Sequence, residues 1–268
     1  MQKENKFLKM DYYRTYYFTN ICSSIIEDVF AYGRTLDDFW GNGKFQWFLH
    51  PFQKYSSLHA FIEFCIDRII YESNEALESL SLNELRNKKF WINDAMDFHG
   101  LEYVSFEEWL KLKKKIEFPD DLFYEYLHDL ELSDSYQRMK YQMVEETFYI
   151  LFINRKFLWQ FNHEMSGIFK LQETKSSLLK QNGTLKRKSI PKWAERAVFY
   201  RDRGKCTVCN KDLTGLLNIA NKYNIDHVIP LKLFGLNDIS NLQLLCENCN
   251  SSKSSKLWKT STNYENWY

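Results

Sequence analysis

The sequence predicts a mainly α-helical N-terminal domain followed by a small α+β domain with a four-cysteine zinc site. Three observations support this prediction. Residues 1–172 carry apolar side chains at helical spacing and few turn signals. Two CxxC pairs bracket short β-prone runs in the last quarter of the chain. The net charge changes sign near the same place. Residues 1–173 carry 20 basic and 28 acidic residues, whereas residues 174–268 carry 16 basic and 7 acidic residues.

Several helices of the N-terminal part can be placed from their caps. Ser56 and Ser57 precede an apolar stripe and predict a helix start. Ser105 and Glu108 have the spacing of a capping box, which predicts another. Pro119 marks a third start. Residues 134–164 are apolar all round in their middle, which predicts one long, buried helix.

A polar stretch divides the two parts. Residues 173–188 end in a basic cluster and hold one glycine, which predicts a basic linker between a domain at 1–172 and a domain at 189–268. The opposite charges of the two parts predict that only the C-terminal domain touches a polyanion. The helical domain is then expected to sense a trigger or bind a protein partner.

Nothing in the sequence indicates export or a membrane span. The first residues are polar, and the longest apolar run is far below the roughly twenty residues that a span needs. Cys22 and Cys65 have no neighbouring cysteine with which to form a disulfide. A reducing, cytoplasmic location is therefore expected.

The two CxxC pairs predict a structural zinc site. They are Cys206 with Cys209 and Cys246 with Cys249. Each CxxC turn brings two thiolates to one metal ion, and two such turns complete a tetrahedron. Four unrelated cysteines are the alternative, which the paired spacing disfavours.

Two β-prone runs lie between the cysteine pairs, and a helix follows them. The runs are 224–230 and 242–245, and the helix is predicted over 247–256. The segment therefore predicts a β-hairpin with a long loop, followed by a helix.

Three motifs follow one another within residues 189–262, and they read DHVIP, NLQLLC and CENCNSSK. In sequence and order they resemble the signature of the HNH nuclease family, which is DHxxP, then NLxxLC, then CxxC followed by His or Asn and a nearby Lys. Asn250 stands where many members carry His. The resemblance implies a ββα-metal domain that hydrolyses DNA with a divalent cation, leaving 5′-phosphate and 3′-hydroxyl ends.

The resemblance and the chemistry of phosphodiester hydrolysis assign the same roles. His227 is the candidate general base, since an imidazole takes up a proton near neutral pH. Asp226 and Asn250 offer the hard oxygen ligands that suit Mg²⁺ or Mn²⁺. Adjacent strand residues point to opposite faces, so a bulge is predicted at Asp226. In the family the middle asparagine buttresses the loop, which assigns that role to Asn241.

Cations beside the first cysteine pair and on the helix after the second pair are candidates for phosphate contacts, although about half of them are expected to be solvated surface. They are Arg196, Arg201, Arg203, Lys205, Lys253 and Lys256.

The sequence thus predicts a metal-dependent HNH endonuclease acting on DNA, and by analogy a bacterial restriction or anti-phage defence effector. The alternatives are a zinc-ribbon DNA-binding adaptor without catalysis, or a homing-type endonuclease.

Overall fold

The computed structural model describes residues 8–41, 45–75, 77, 80–113, 122–172, 175–215 and 222–266. The described helices, α1 to α12 in chain order, are Thr15–Glu27, Gly33–Trp40, Phe45–Phe48, Ser57–Glu75, Leu82–Asn87, Trp91–Phe98, Phe106–Leu112, Leu122–Glu131, Asp134–Phe152, Arg155–Leu171, Lys192–Arg201 and Glu247–Lys253. Strands β1 (Tyr223–His227) and β2 (Leu242–Cys246) form an antiparallel pair. The predicted fold class is confirmed. Among the described helices, none has the length and apolar composition needed to cross a membrane.

Two of the three predicted helix starts can be checked. Helix α4 begins at Ser57 and α7 follows Ser105. Both halves of the predicted capping box form, since Ser105 Oγ accepts from Glu108 N and Glu108 Oε2 accepts from Ser105 N at 3.0 Å. The start predicted at Pro119 lies outside the described residues.

The single long helix predicted over 134–164 is wrong, because the chain breaks between α9 and α10. Asn154 caps α10, its Oδ1 accepting a hydrogen bond from Phe157 N at 3.1 Å. An asparagine at this position satisfies a backbone donor that a continuous helix would have paired internally.

The chain folds into two compact units. The first comprises Met1–Thr19 and Ile62–Phe148, and the second comprises Asn20–Phe61 and Tyr149–Tyr268. The chain passes between the units after residues 19, 61 and 148, and none of these three junctions coincides with residues 173–188. The division into a domain at 1–172, a linker at 173–188 and a domain at 189–268 stays a prediction.

The first unit is built from helices packed on aromatic side chains and one buried acid. Glu146 is fully buried, and its carboxylate accepts hydrogen bonds from Asp11 N, Tyr12 N and Thr15 Oγ1 at 2.7–2.9 Å. These donors lie at the start of α1, where backbone N–H groups lack helical partners. The core rings of this unit include Phe90, Phe106, Phe123 and Tyr126.

The second unit is centred on α10. Phe169 stacks on Phe45 with ring centroids 5.5 Å apart and meets Phe234 edge-on at 5.6 Å. Phe161 contacts Phe61 at 5.4 Å. Segments distant in sequence thus share one core with the loop that precedes β2.

Polar contacts fix that loop within the second unit. Asp238 Oδ2 accepts a hydrogen bond from Ser57 N at 2.8 Å, at the start of α4. Asn162 on α10 donates from Nδ2 to Ser240 O at 3.0 Å. The loop between the strands therefore rests on two helices.

The predicted linker contains an ordered turn. Lys180 N donates to Thr184 O at 2.8 Å, and Leu179 and Leu185 form a β-bridge. Leu185 is buried, so this hairpin is anchored in the second unit.

The C-terminal tail packs on the same unit. Tyr264 Oη donates to Ile153 O at 3.1 Å, and the Arg155 guanidinium lies over the Tyr264 ring at 4.5 Å. Thr260 Oγ1 donates to Gln243 Oε1 at 3.2 Å. The tail therefore connects β2 with the junction of α9 and α10.

Candidate active site and zinc site

Two tight turns bring the four cysteines together. In the first, Cys206 N donates to Lys211 O at 3.0 Å and Asn210 N donates to Cys206 O at 2.9 Å. The second lies where β2 ends and α12 begins, and there Cys246 caps the helix with its sulfur. All four sulfurs lie within 4.8 Å of one another, as the CxxC spacing predicts.

The sulfur cluster fits a zinc ion. Zn–S bonds of about 2.3 Å in a tetrahedron place two sulfurs about 3.8 Å apart, and Cys209 Sγ lies 3.8 Å from Cys246 Sγ. Burial and the neighbouring sulfurs raise the pKa of Cys249. A cation at the centre is therefore needed to hold the thiolate form.

The strands pair in unbroken register across the candidate active site. Asp226 lies opposite Gln243 and His227 opposite Leu242. The bulge predicted at Asp226 is wrong. No bulge is needed, because α12 approaches the face of β1 that carries Asp226. The loop after β1 covers His227 on the opposite face.

Asn237 orients the His227 ring. Asn237 Nδ2 donates to Lys186 O at 2.9 Å, which directs its Oδ1 towards His227 Nε2, 3.3 Å away. An amide oxygen only accepts, so Nε2 carries the proton and Nδ1 keeps its lone pair. Nδ1 is buried and has no hydrogen-bond partner among the described residues. The sequence did not single out Asn237, since an asparagine in a loop gives no local signal of such a contact.

His227 is neutral at physiological pH. Burial lowers its pKa to about 4. The Asp226 carboxylate opposes this shift, while the positive charge of Arg187 adds to it. The imidazole is therefore in the form that accepts a proton.

Asn241 ties the loop between the strands. Its Oδ1 accepts from Ile229 N at 2.8 Å, and its Nδ2 donates to Ile229 O at 3.0 Å and to Leu236 O at 2.9 Å. Gly235 makes this path possible, because a Cβ there would lie 1.9 Å from Ile229 O. These are the contacts that the predicted buttressing role requires.

Asp226 forms an ion pair with a buried lysine. Lys253 Nζ lies 2.7 Å from Asp226 Oδ2 and also donates to His227 O at 2.7 Å. The side chain of Lys253 is 1% exposed and that of Asp226 is 13% exposed. Lys253 was predicted to contact phosphate from the surface, but the structure places it inside the site.

The remaining predicted metal ligand lies on the same helix. Asn250 precedes Lys253 by three residues on α12, so both face the same side. Asn250 is half-buried, and Asp226 Oδ1 makes no hydrogen bond within the described part of the chain. A carboxylate and an amide oxygen fit a Mg²⁺ or Mn²⁺ ion that keeps several waters.

Arg201 is held inside the fold. Its guanidinium pairs with the buried Asp202 at 2.8 Å and donates to Leu242 O at 2.7 Å. It also lies over the Phe152 ring at 4.8 Å. With a side chain 4% exposed, it braces β2 against α11, and nothing in this arrangement offers it to a phosphate.

The other predicted phosphate contacts lie at the surface. Arg196, Arg203 and Lys256 are exposed, whereas Lys205 pairs with Glu265. The structure adds Arg187, which is exposed and close enough to His227 to affect its pKa. The basic run at 186–188 is the sequence signal for Arg187, but from the sequence that run was assigned only to the linker.

Comparison with known proteins identifies the family of this region. Residues 206–256 match the sequence model of the HNH endonuclease family. The match contains both cysteine pairs and the hairpin that carries His227. Comparison of the chain with curated proteins and with solved structures gave no match.

Proposed function

We propose that the protein is a metal-dependent endonuclease that hydrolyses DNA phosphodiester bonds at the Asp226–His227 site. The observation that carries the proposal is the His227 imidazole, neutral and buried, with an unpaired Nδ1 beside a carboxylate. An unsatisfied buried nitrogen is unfavourable for folding, and a catalytic role is one of the explanations for such an atom. The match of residues 206–256 to the HNH endonuclease family supports the same conclusion.

His227 acts as the general base of this reaction. Its Nδ1 accepts a proton from the attacking water, while Asn237 holds Nε2–H and keeps the ring in one tautomer. With a pKa of about 4, the His227 imidazole is neutral at physiological pH but is a weak base. A DNA phosphate beside the ring raises that pKa, because a negative charge favours the imidazolium.

Asp226 and Asn250 hold the catalytic Mg²⁺ or Mn²⁺ ion. A divalent cation bound there would supply positive charge to the scissile phosphate and to the leaving oxygen. Asp226 brings the anionic ligand, and Asn250 brings a neutral one from α12. Asn241 keeps the loop that carries Asn237 in place.

DNA binds through the exposed cations around this site. Arg187, Arg203 and Lys256 are exposed in a region with 16 basic and 7 acidic residues. Contacts of this kind release counterions from DNA, so affinity falls steeply as salt rises. We also propose bacterial restriction or anti-phage defence as the setting, with the acidic helical region sensing a trigger or a protein partner. The support for this setting is the pairing of the nuclease region with a larger region of opposite charge.

The proposal predicts metal-dependent cleavage that requires Asp226. We expect the full-length chain to nick or linearise supercoiled plasmid DNA with Mg²⁺ or Mn²⁺. Asp226→Asn should lose at least about 100-fold in rate, since the ion loses its charged ligand. Gel quantification of the nicked and linear forms measures the rate. Glu247→Gln is the matched control, because Glu247 is exposed on the first turn of α12.

The same assay separates catalysis from simple binding. An unchanged rate for Asp226→Asn would contradict the assigned site. A chain that binds zinc and DNA but cuts with neither ion, even when its trigger or partner is present, would instead favour the DNA-binding adaptor.

A second prediction concerns the tautomer of His227. Replacing Asn237 with alanine removes the acceptor for Nε2–H, and we expect cleavage to fall about 10- to 100-fold, as for other residues that orient a ligand or base. Asn237→Asp keeps that acceptor, loses the donor to Lys186 O and adds a negative charge that favours a protonated His227. Because the acceptor remains, it should retain more activity than Asn237→Ala. Single-turnover cleavage rates at saturating metal measure both effects. Equal rates for Asn237→Ala and the unmodified chain would remove Asn237 from the mechanism.

A further inference from the structure

The inference begins with the position of Lys253. An ammonium group that is 1% exposed requires close counter-charges, because burying an unpaired charge is very unfavourable. Lys253 Nζ has one counter-charge, the Asp226 carboxylate at 2.7 Å, and one neutral acceptor, His227 O, also at 2.7 Å. The pair is therefore a fixed part of the site rather than a mobile surface contact.

This pair leaves the proposed metal site without net negative charge. Asp226 is the anionic ligand assigned there, and Lys253 neutralises it at contact distance. Asn250 is uncharged. The charged groups that act most strongly on the neighbouring His227 are Asp226, Arg187 and Lys253, which together sum to a positive charge. Divalent cations bind more tightly when their ligands carry more negative charge, so this arrangement opposes their binding.

We infer that Lys253 makes binding of the catalytic cation conditional on the DNA phosphate. The inference rests on the proposed function, since it takes Asp226 as the metal ligand. In the free protein, Lys253 competes with the cation for the Asp226 carboxylate. A DNA phosphate at the site supplies the missing negative charge, so the cation and the DNA bind cooperatively. Coupling of this kind is reciprocal, and the cation must strengthen DNA binding by the same factor.

The first test measures Mn²⁺ binding to the full-length, zinc-loaded protein without DNA, by electron paramagnetic resonance of the free ion. We expect weak binding to the unmodified chain and affinity about tenfold or more higher for Lys253→Met, which removes a like charge near the ion. Lys253→Arg should remain weak. Lys256→Met is the matched control, since it deletes the same charge at an exposed position on the same segment, and it should leave the affinity unchanged.

One double variant assigns the gain to Asp226. Adding Asp226→Asn to Lys253→Met should abolish the increase. Mn²⁺ that binds elsewhere on the acidic surface persists in this double variant and provides the background to subtract.

The second test measures coupling from the DNA side. With chemistry blocked by His227→Ala, fluorescence anisotropy of a labelled duplex should show tighter binding when Mg²⁺ is added at constant ionic strength. The increase should shrink when Lys253→Met is also present. The comparison with and without Mg²⁺ needs only the His227→Ala chain, which keeps Lys253. DNA affinity that is indifferent to Mg²⁺ would therefore overturn the inference even if Lys253→Met loses zinc and fails to fold.

The outcomes separate this inference from the proposed function. Unchanged Mn²⁺ affinity in folded Lys253→Met overturns the inference, as does DNA affinity that is indifferent to Mg²⁺ in the His227→Ala chain. In both cases the proposed function stands if the unmodified chain cuts plasmid and Asp226→Asn does not. Cleavage that is independent of Asp226 would defeat both.

Discussion

Replacing Cys246 with serine should remove zinc from the protein and unfold the region around the β1–β2 hairpin. Structural zinc contributes roughly 10–16 kcal/mol of apparent binding free energy in small zinc-folded units, which is comparable to the whole stability of a typical domain. Cys246 has two roles in the structure, since its sulfur joins the cluster and also caps α12. Elemental analysis should fall from one zinc per chain to well below one.

Hydrogen exchange can follow how far this unfolding spreads. The zinc region shares a core with α10 and with residues 45–61, through Phe169 and Phe234 and through Asp238 at the start of α4. We therefore expect faster exchange in those helices as well, while residues 62–148 keep their protection. Loss confined to residues 189–268 would instead support an independent C-terminal domain.

A cysteine outside the cluster provides the control. Cys22 is buried and far from the CxxC pairs in sequence. Cys22→Ala should therefore lower the stability only through lost packing contacts, and the protein should keep one zinc per chain. Pure, folded protein without zinc would contradict the zinc assignment.

The local parts of the structure could be predicted because their causes lie close together in sequence. CxxC turns, the capping box at Ser105 and the hairpin–helix order all depend on residues a few positions apart. Asp226 and His227 are also close in sequence, since they are adjacent residues of β1 whose side chains point to opposite faces. The family motifs added the order in which these features occur.

Most of the features that the sequence-based prediction missed depend on contacts between residues that are distant in sequence. Lysine and arginine are expected at the surface, yet Lys253 and Arg201 are buried because Asp226 and Asp202 compensate their charges. Asn237 matters only because the loop folds back onto β1. The break at Asn154 has a local cap, but an uninterrupted apolar pattern concealed it.

His227→Ala should abolish cleavage while leaving zinc content and DNA affinity intact. Loss of a positioned general base typically costs about 10²- to 10⁴-fold in rate. The ring is buried, so alanine also leaves a cavity and lowers stability. His227→Gln separates the two effects, because it fills part of that space and still donates towards Asn237 Oδ1 but cannot take up a proton at neutral pH.

Single-turnover cleavage of plasmid DNA at saturating Mg²⁺ or Mn²⁺ measures the loss. His163→Ala is the matched control, since His163 lies exposed on α10 and its removal should leave the rate unchanged. Added imidazole should restore some cleavage to His227→Gly, because a diffusible base can take up the proton that the missing ring accepted. If folded His227→Ala cuts as fast as the unmodified chain, a different group activates the water. The unpaired Nδ1 would then need another explanation, and the proposed active site would be wrong.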